Sequence, residues 1–475
     1  MAKGKVKKGF KGYLLILFLA IIATFLIIIT VMLFSPFKNI LGFKYFTYKD
    51  NEIVYNVTGG KENEYFDFQN IDNINIDCTY ANVKVERNYK AAHYGFKFDH
   101  AISGFARSDH DTDYSYEISY QDNSNKQINI KVHEPEGFLF FSKKSTITVL
   151  IPTSETYTLN NTTITVNNTS GNVYIGNNEK VLKVEGEEFR NYITVESINV
   201  NTNSGKTIIF PYANKQFKNI YLNTGKGDVD IRHDLTITGD FEIYSDKGDL
   251  KFKKIVHTSQ EPAILDINNA EFSAPYFEGD IELAIKSGYL NINDLKGSIT
   301  SNNAVEQMSK AKINIKKFDG NMSFPYANST DVTLGEVTEN SQIYIHATEG
   351  DVKIEKMNSD IAKIETTKGD INIYTYAQDL DLKTTSGSID VIFDNTTIAN
   401  EIHLISKTGD VSLNVHSTLA FLLEVRNAKG ELREDQDVKV AWLDTLTQNP
   451  MPILGGGKLV SIITDGLVNI DLIKA

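Results

Sequence analysis

Asp109, Asp111 and Asp113 alternate along one short stretch, with His110 between them and His93, Asp99 and His100 upstream. Carboxylates favour hard cations and imidazoles favour transition metals, so Asp109, His110, Asp111 and Asp113 are the candidate metal ligands of the chain. The Asp-x-Asp-x-Asp spacing begins like a calcium loop, but Tyr114 stands where such a loop needs glycine and no fitting glutamate closes it. An exposed polar loop is the plainer reading. A second set of acids is spread more widely: seven Gly-Asp pairs occur, among them those ending in Asp228, Asp249, Asp351, Asp370 and Asp410. Stacked in a regular fold, these would form an anion ladder suited to calcium or to carbohydrate cleavage. Lys226, Lys247, Lys368 and Lys407 stand one or two residues ahead of the same glycines, so the ladder is partly neutralised. Turns also select Asp and Gly for backbone reasons alone. There is no Gly-x-Ser-x-Gly elbow, no His-Glu-x-x-His and no phosphate loop. No catalytic residue and no cofactor is assigned.

The elements that would position these acids follow from a repeat. With Gly171, Gly205, Gly227, Gly248, Gly288, Gly320, Gly350, Gly369, Gly387 and Gly409 as position zero, 39 of the 40 residues at −7, −5, +2 and +4 are hydrophobic, Thr207 being the exception. Position −3 is usually small, as at Thr366, Thr384 and Ser406, and a further copy centres on Ala81 with Cys78 at −3. Alternation on either side of the glycine means two short strands, each burying one face, joined by a bend where glycine adopts a positive φ. Each repeat is too small to bury its own apolar face, so neighbours must stack with their strands parallel. The expected fold is an all-β, right-handed parallel β-solenoid, the hand following from that of parallel crossovers. The pentapeptide Phe210-Pro211-Tyr212-Ala213-Asn214 recurs as Phe324-Pro325-Tyr326-Ala327-Asn328 and suggests a shared corner. Antiparallel sandwiches would not keep four apolar slots at fixed offsets from one glycine.

Tyr13 to Phe34 is a run of 22 residues without a charge, which as a helix spans roughly 33 Å against a bilayer core of about 30 Å. Five lysines precede it and Lys38 follows, which places the tail in the cytoplasm and the body outside. The expected organisation is a basic cytoplasmic tail at 1–12, a transmembrane signal anchor at 13–34 and a juxtamembrane linker at 35–64. An irregular β region with the first rung follows at 65–160, then the solenoid repeats at 161–430 and a cap at 431–475 over the last open edge. The run Gly137-Phe138-Leu139-Phe140-Phe141, ahead of Lys143 and Lys144, is expected to pack over the first rung. One cysteine, Cys78, excludes an intramolecular disulfide, and a net charge of −13 makes nucleic acid an unsuitable partner.

Ser145 to Pro152, Ile164-Thr165-Val166, Thr169-Ser170-Gly171-Asn172-Val173 and the repeats Thr366 to Ile373 and Thr384 to Val391 resemble the bacterial putative-adhesin domain family over residues 65–430. That resemblance implies a β-solenoid in a surface or envelope protein, beside a membrane span, and brings no catalytic residues. The expected function is a non-enzymatic adhesion, scaffold or envelope-interaction module on a single-pass cell-membrane anchor. Its partners would be the membrane and an envelope protein or surface glycan. The alternative is a polysaccharide-active β-helix enzyme using the surface aspartates.

Overall fold

Alternation decides the strands: Ile371 and Ile373 are buried, and Asn372 between them is exposed. The computed structural model describes residues 15–27, 30, 39–40, 42–54, 71–88, 95–122, 126–152, 162–184, 187–191, 195–210, 216–301, 308–359, 361–377, 379–398, 400–433, 437–443 and 449–473. They form an all-β solenoid whose strands pair mostly in parallel.

Three ladders run along it. The first links the strands of Ile74, Ile164, Ile198, Ile220, Phe241, Leu265, Leu283, Ile299, Met322, Ile343, Ala362, Leu380 and Ile402. The second links those of Val83, Val173, Thr207, Val229, Leu250, Phe272, Leu290, Ile313, Val332, Val352, Ile371, Ile389 and Val411. A third closes each coil from Leu235 through Ile255, Phe277, Leu295, Phe318, Val337, Met357, Thr375 and Phe393 to Val415. Inward side chains of the three faces fill one continuous apolar core, so each coil is stabilised by its neighbours rather than by itself.

The bend between the first and second faces stacks Ala81, Gly171, Gly205, Gly227 and Gly248, then Ala270 and Gly288, then Ala311 and Thr330, then Gly350, Gly369, Gly387 and Gly409. Coils without a bend glycine therefore do occur. Gly320 does not belong to this column: Ile313 lies on the second face and Met322 on the first, so Gly320 turns the corner from the third face back to the first, above Gly297 and Gly279. Both corners bring backbones together and both are flanked by alternating apolar residues, so the offsets look alike. Of the repeated pentapeptide, residues 211–214 lie outside the described residues, and the two leading phenylalanines do not share a corner. Phe324 sits on the first face in the main core, whereas Phe210 follows the second-face strand Thr207–Ile209 and packs outside with Ile208 and Tyr174.

At both ends the chain departs from sequential stacking. The strands Lys126–His133 and Leu139–Pro152 lie outside those of Ile74 and Val83 and pair with them in parallel. Phe43–Val54 then pairs antiparallel with Gly95–Arg107, which pairs antiparallel with Leu139–Pro152, so the expected linker holds a 12-residue strand. At the other end Leu459–Ile463 and Val468–Leu472 stack directly on the coil of Ile402 and Val411, and the strands Phe421–Arg426 and Val438–Val440 lie beyond them. The last residues are therefore an inner coil, not the cap. Near the amino terminus, residues 15–27 are helical and exposed, while 13–14, 28–29 and 31–34 of the apolar run lie outside the described residues. Among the described residues no helix is long and apolar enough to cross a membrane.

Candidate functional site

The acid row lies beside the bend column, and four of its five members are engaged with backbone, Asp249 pairing instead with Lys251 at 2.8 Å. Asp228 Oδ1 accepts the Asp249 N–H (3.1 Å), Asp351 the Asp370 N–H (2.8 Å), Asp370 the Ser388 N–H (2.7 Å) and Asp410 the Leu467 N–H (2.9 Å). Asn82 and Asn172 make the same bond to Asn172 and Lys206 in the first coils, at 3.0 and 2.8 Å. An acceptor, not a charge, is what the position requires.

Inside the bend, the small residue at −3 does a matching job. Ser406 Oγ donates to Gly387 O of the coil below (2.7 Å) and accepts the N–H of its own Gly409 (2.9 Å), while Thr384 repeats the pattern on Gly369 and Gly387. Coils approach so closely here that a Cβ on Gly387 would stand 1.8 Å from Gly369 O. Close approach therefore selects glycine at Gly387 and Gly409. Positive φ adds to it at Gly205, where φ is 120°.

These bends give the column a direction. At the residue just before the bend position, N–H groups point to carbonyls of the coil before: Ser170 to Thr79, Ser204 to Thr169, Lys226 to Asn203, Ser386 to Thr367, Thr408 to Thr385 and Asp465 to Lys407, whereas the N–H groups of Val83, Val173, Gly350 and Ile389 point to the coil after. As at the termini of a helix, unpaired N–H groups are left at one end and unpaired C=O groups at the other.

Glu134 closes the first end. Buried, it accepts the N–H groups of Thr79, Tyr80 and Ala81 on Oε2 at 2.8, 2.6 and 3.2 Å, and the Ser145 hydroxyl on Oε1 at 2.9 Å. With its proton so used, Ser145 Oγ accepts from His100 Nδ1–H (2.8 Å), which leaves His100 Nε2 to accept from the Tyr114 hydroxyl. Burial holds His100 neutral, its pKa pushed down to about 4 against the opposing fields of Asp50 and Asp99, and burial also drives the Tyr114 phenol well above its usual range. Cys78, half-buried beneath the same bend, has its thiol held protonated mainly by burial and then by Glu134.

The sequence candidates separate around this network. Asp109 pairs with Arg107 (3.2 Å), His110 Nδ1 lies 3.2 Å from Glu136, and Asp111 takes His133 Nε2 and the Asp113 N–H, each at 2.9 Å. Asp99 pairs with Lys144 (2.7 Å), and His93 lies outside the described residues. Among the described residues no group of three or more such side chains is placed to hold a metal ion. Arg107, His110, Glu136, Tyr80, Phe138 and Lys143 instead line an open cleft of about 470 Å³, with the Lys143 ammonium 4.0 Å from the centre of the Tyr80 ring. The Gly137–Phe141 run is not buried as expected: Phe138 and Phe141 are 59% and 47% exposed.

Arg433 closes the far end. Buried, its guanidinium donates to Thr464 O and Gly466 O, both at 2.8 Å, the bend carbonyls of the inner terminal coil. Glu134, Ser145 and Arg433 carry no periodic mark; a lone acid and a lone base outside the repeat were the only signs.

A family model described as Toastrack DUF4097 matches residues 71–333 and 301–442. A crystal structure of a putative cell adhesion protein from Clostridium sporogenes is 12% identical, covering 66% of this chain and 100% of its own, with a TM-score of 0.25. One of a putative adhesin from Bacteroides fragilis is 11% identical, covering 91% and 98%, with a TM-score of 0.15. No curated protein matches the chain significantly.

Proposed function

The chain belongs to the Toastrack DUF4097 family, and from that premise we propose that it is a non-enzymatic, membrane-anchored β-solenoid of the cell envelope. In this reading the run from Tyr13 to Phe34 is a single-pass anchor with its lysine-rich tail in the cytoplasm. The coil is right-handed, and the body stands outside the cell as an adhesion or scaffold element. One observation carries the non-enzymatic part: four of the five acids that could have formed a ladder hold the backbone of the next coil, and the fifth, Asp249, is paired with Lys251. Carboxylates so engaged favour a rod whose polar residues maintain its own stacking. The anchor is supported by the 22 uncharged residues and the five lysines before them.

Topology tests it. Protease added to intact cells, or to wall-stripped protoplasts, should digest the body and spare a small amino-terminal fragment. A body protected until the membrane is permeabilised would reverse the orientation and remove every surface role.

A further inference from the structure

The outer face of the antiparallel sheet at the amino-terminal end is aromatic. Phe43 and Phe138 lie 4.7 Å apart between ring centres, Phe105 lies 5.4 Å from Phe141 and 5.5 Å from Tyr45, and Tyr45 lies 6.3 Å from Phe141. Phe105 is buried beneath the others, whereas Phe138 and Phe141 face outward at 59% and 47% exposure. Contiguous exposed aromatic surface of this kind marks an interaction site.

Chain length identifies the occupant. Asn39 pairs with Lys44 and Ile40 with Phe43, so the patch begins where the sheet begins. Only four residues separate Phe34, the end of the apolar run, from Asn39, and the five steps between them span at most about 3.6 Å each in extended chain, or about 18 Å. The headgroup layer adds roughly 5–8 Å beyond the hydrocarbon core. A sheet tethered so closely to a span is held at the bilayer surface, and aromatic rings are the side chains that favour that layer.

We propose that Phe138 and Phe141, with Phe43 and Tyr45, lie in the headgroup layer of the bilayer that anchors the chain, so that the solenoid is seated on the membrane by its amino-terminal end rather than swinging on a tether. This rests on the anchor reading above. The test uses the full chain with Cys78→Ser, reconstituted in phosphatidylglycerol and phosphatidylcholine nanodiscs. A bimane fluorophore is placed at Phe138→Cys, at Phe141→Cys or, as a control in the body, at Asn372→Cys. Lipid carrying a headgroup nitroxide should quench the first two and leave the third unchanged. Bimane at 138 and 141 as bright as at 372, in discs that do contain the chain, overturns the seating but leaves the anchor standing. Shielding from aqueous iodide without quenching by lipid also overturns it, since the cover is then a second copy or the chain's own apolar segment. A chain that fails to enter the discs overturns both readings.

Discussion

The two ends of the solenoid are closed by opposite chemistry for one reason. At the residue just before the bend position, hydrogen bonds run from a later N–H to an earlier C=O, so there the amino-terminal end presents donors and the carboxy-terminal end presents acceptors. Glu134 meets the donors and Arg433 meets the acceptors, each buried, each brought in by a segment that leaves the repeat and returns outside it. The supports differ. Glu134 is held through Ser145, His100 and Tyr114, a chain of side-chain bonds containing a titratable ring, whereas Arg433 reaches the carbonyls directly, with Asp437 4.0 Å away. A polar stack thus needs a charged cap at each end, and the amino-terminal one leans on a histidine whose pKa burial pushes down.

Removing the caps breaks the comparison most directly. Glu134→Ala leaves three N–H groups of one buried bend without a partner and should cost about 3–5 kcal/mol. Arg433→Ala should cost less, about 2–3 kcal/mol, because buried carbonyls tolerate missing partners better than buried N–H groups do. Urea unfolding checks the magnitudes, and hydrogen exchange at residues 79–81 and 464–466 checks the location. Equal losses, or an Arg433→Ala loss the larger, would mean that the direction of the bend bonds does not set the demand at the ends.

The pH dependence sharpens it. The fold holds His100 neutral with a pKa near 4, against an ordinary value of 6.5. Between those values the unfolded chain takes up a proton that the folded chain refuses, so stability rises with pH through that window. The contribution is complete above about pH 6.5 and is lost as pH falls toward 4. Asp99, Glu349 and Glu424 are held below their ordinary ranges by Lys144, Lys368 and Arg426, and their losses fall lower, as pH drops through their depressed values. His100→Asn keeps a donor to Ser145 and should flatten the slope between pH 6.5 and 4, while Arg433→Ala should lower the whole curve without changing that slope. A wild-type slope that survives in His100→Asn would assign the titration elsewhere.

How far the sequence disclosed this follows from the same physics. Ile220, Leu222, Val229 and Ile231 could be placed because period-2 burial repeats coil after coil, and each copy corroborates the others. Gly320 was misplaced because the second corner also packs backbone on backbone, so it demands glycine under the same alternating flanks. The order of the terminal coils was hidden: Val460 pairs with both Ile402 and Leu423, and nothing in alternation says which coil lies inside. The caps were least legible, since an end occurs once and leaves no period. Asp109, Asp111 and Asp113 drew attention by spacing, yet the residue that matters beside them is Glu134, marked only by standing between His133 and Pro135.

The smallest expected effect lies between the ends, where the acids of the bend column stand in solvent. Asp370 accepts the Ser388 N–H at 2.7 Å and gives its own N–H to Asp351, and Asn82 and Asn172 fill the same role unaided by charge. Asp370→Asn keeps an acceptor, so its hydrogen bond should survive. It also removes one of a series of like charges spaced about 4.8 Å apart, each pair repelling by about 1 kcal/mol or less in water and less again with salt. The substitution should therefore be neutral or stabilise by a few tenths of a kcal/mol at low ionic strength, the gain fading at high salt. Asp370→Ala, which deletes the acceptor but leaves the N–H open to water, should cost about 0.5–1 kcal/mol at either ionic strength. Glu134→Gln is the counterpart at the buried end: there the loss of charge removes a partner that water cannot replace, and the cost should reach about 1–3 kcal/mol. If Asp370→Asn destabilised the chain as much as Glu134→Gln, charge would matter equally along the whole column. The acids would then form an electrostatic ladder rather than a row of backbone acceptors, and the distinction between capped ends and a solvated middle would fail.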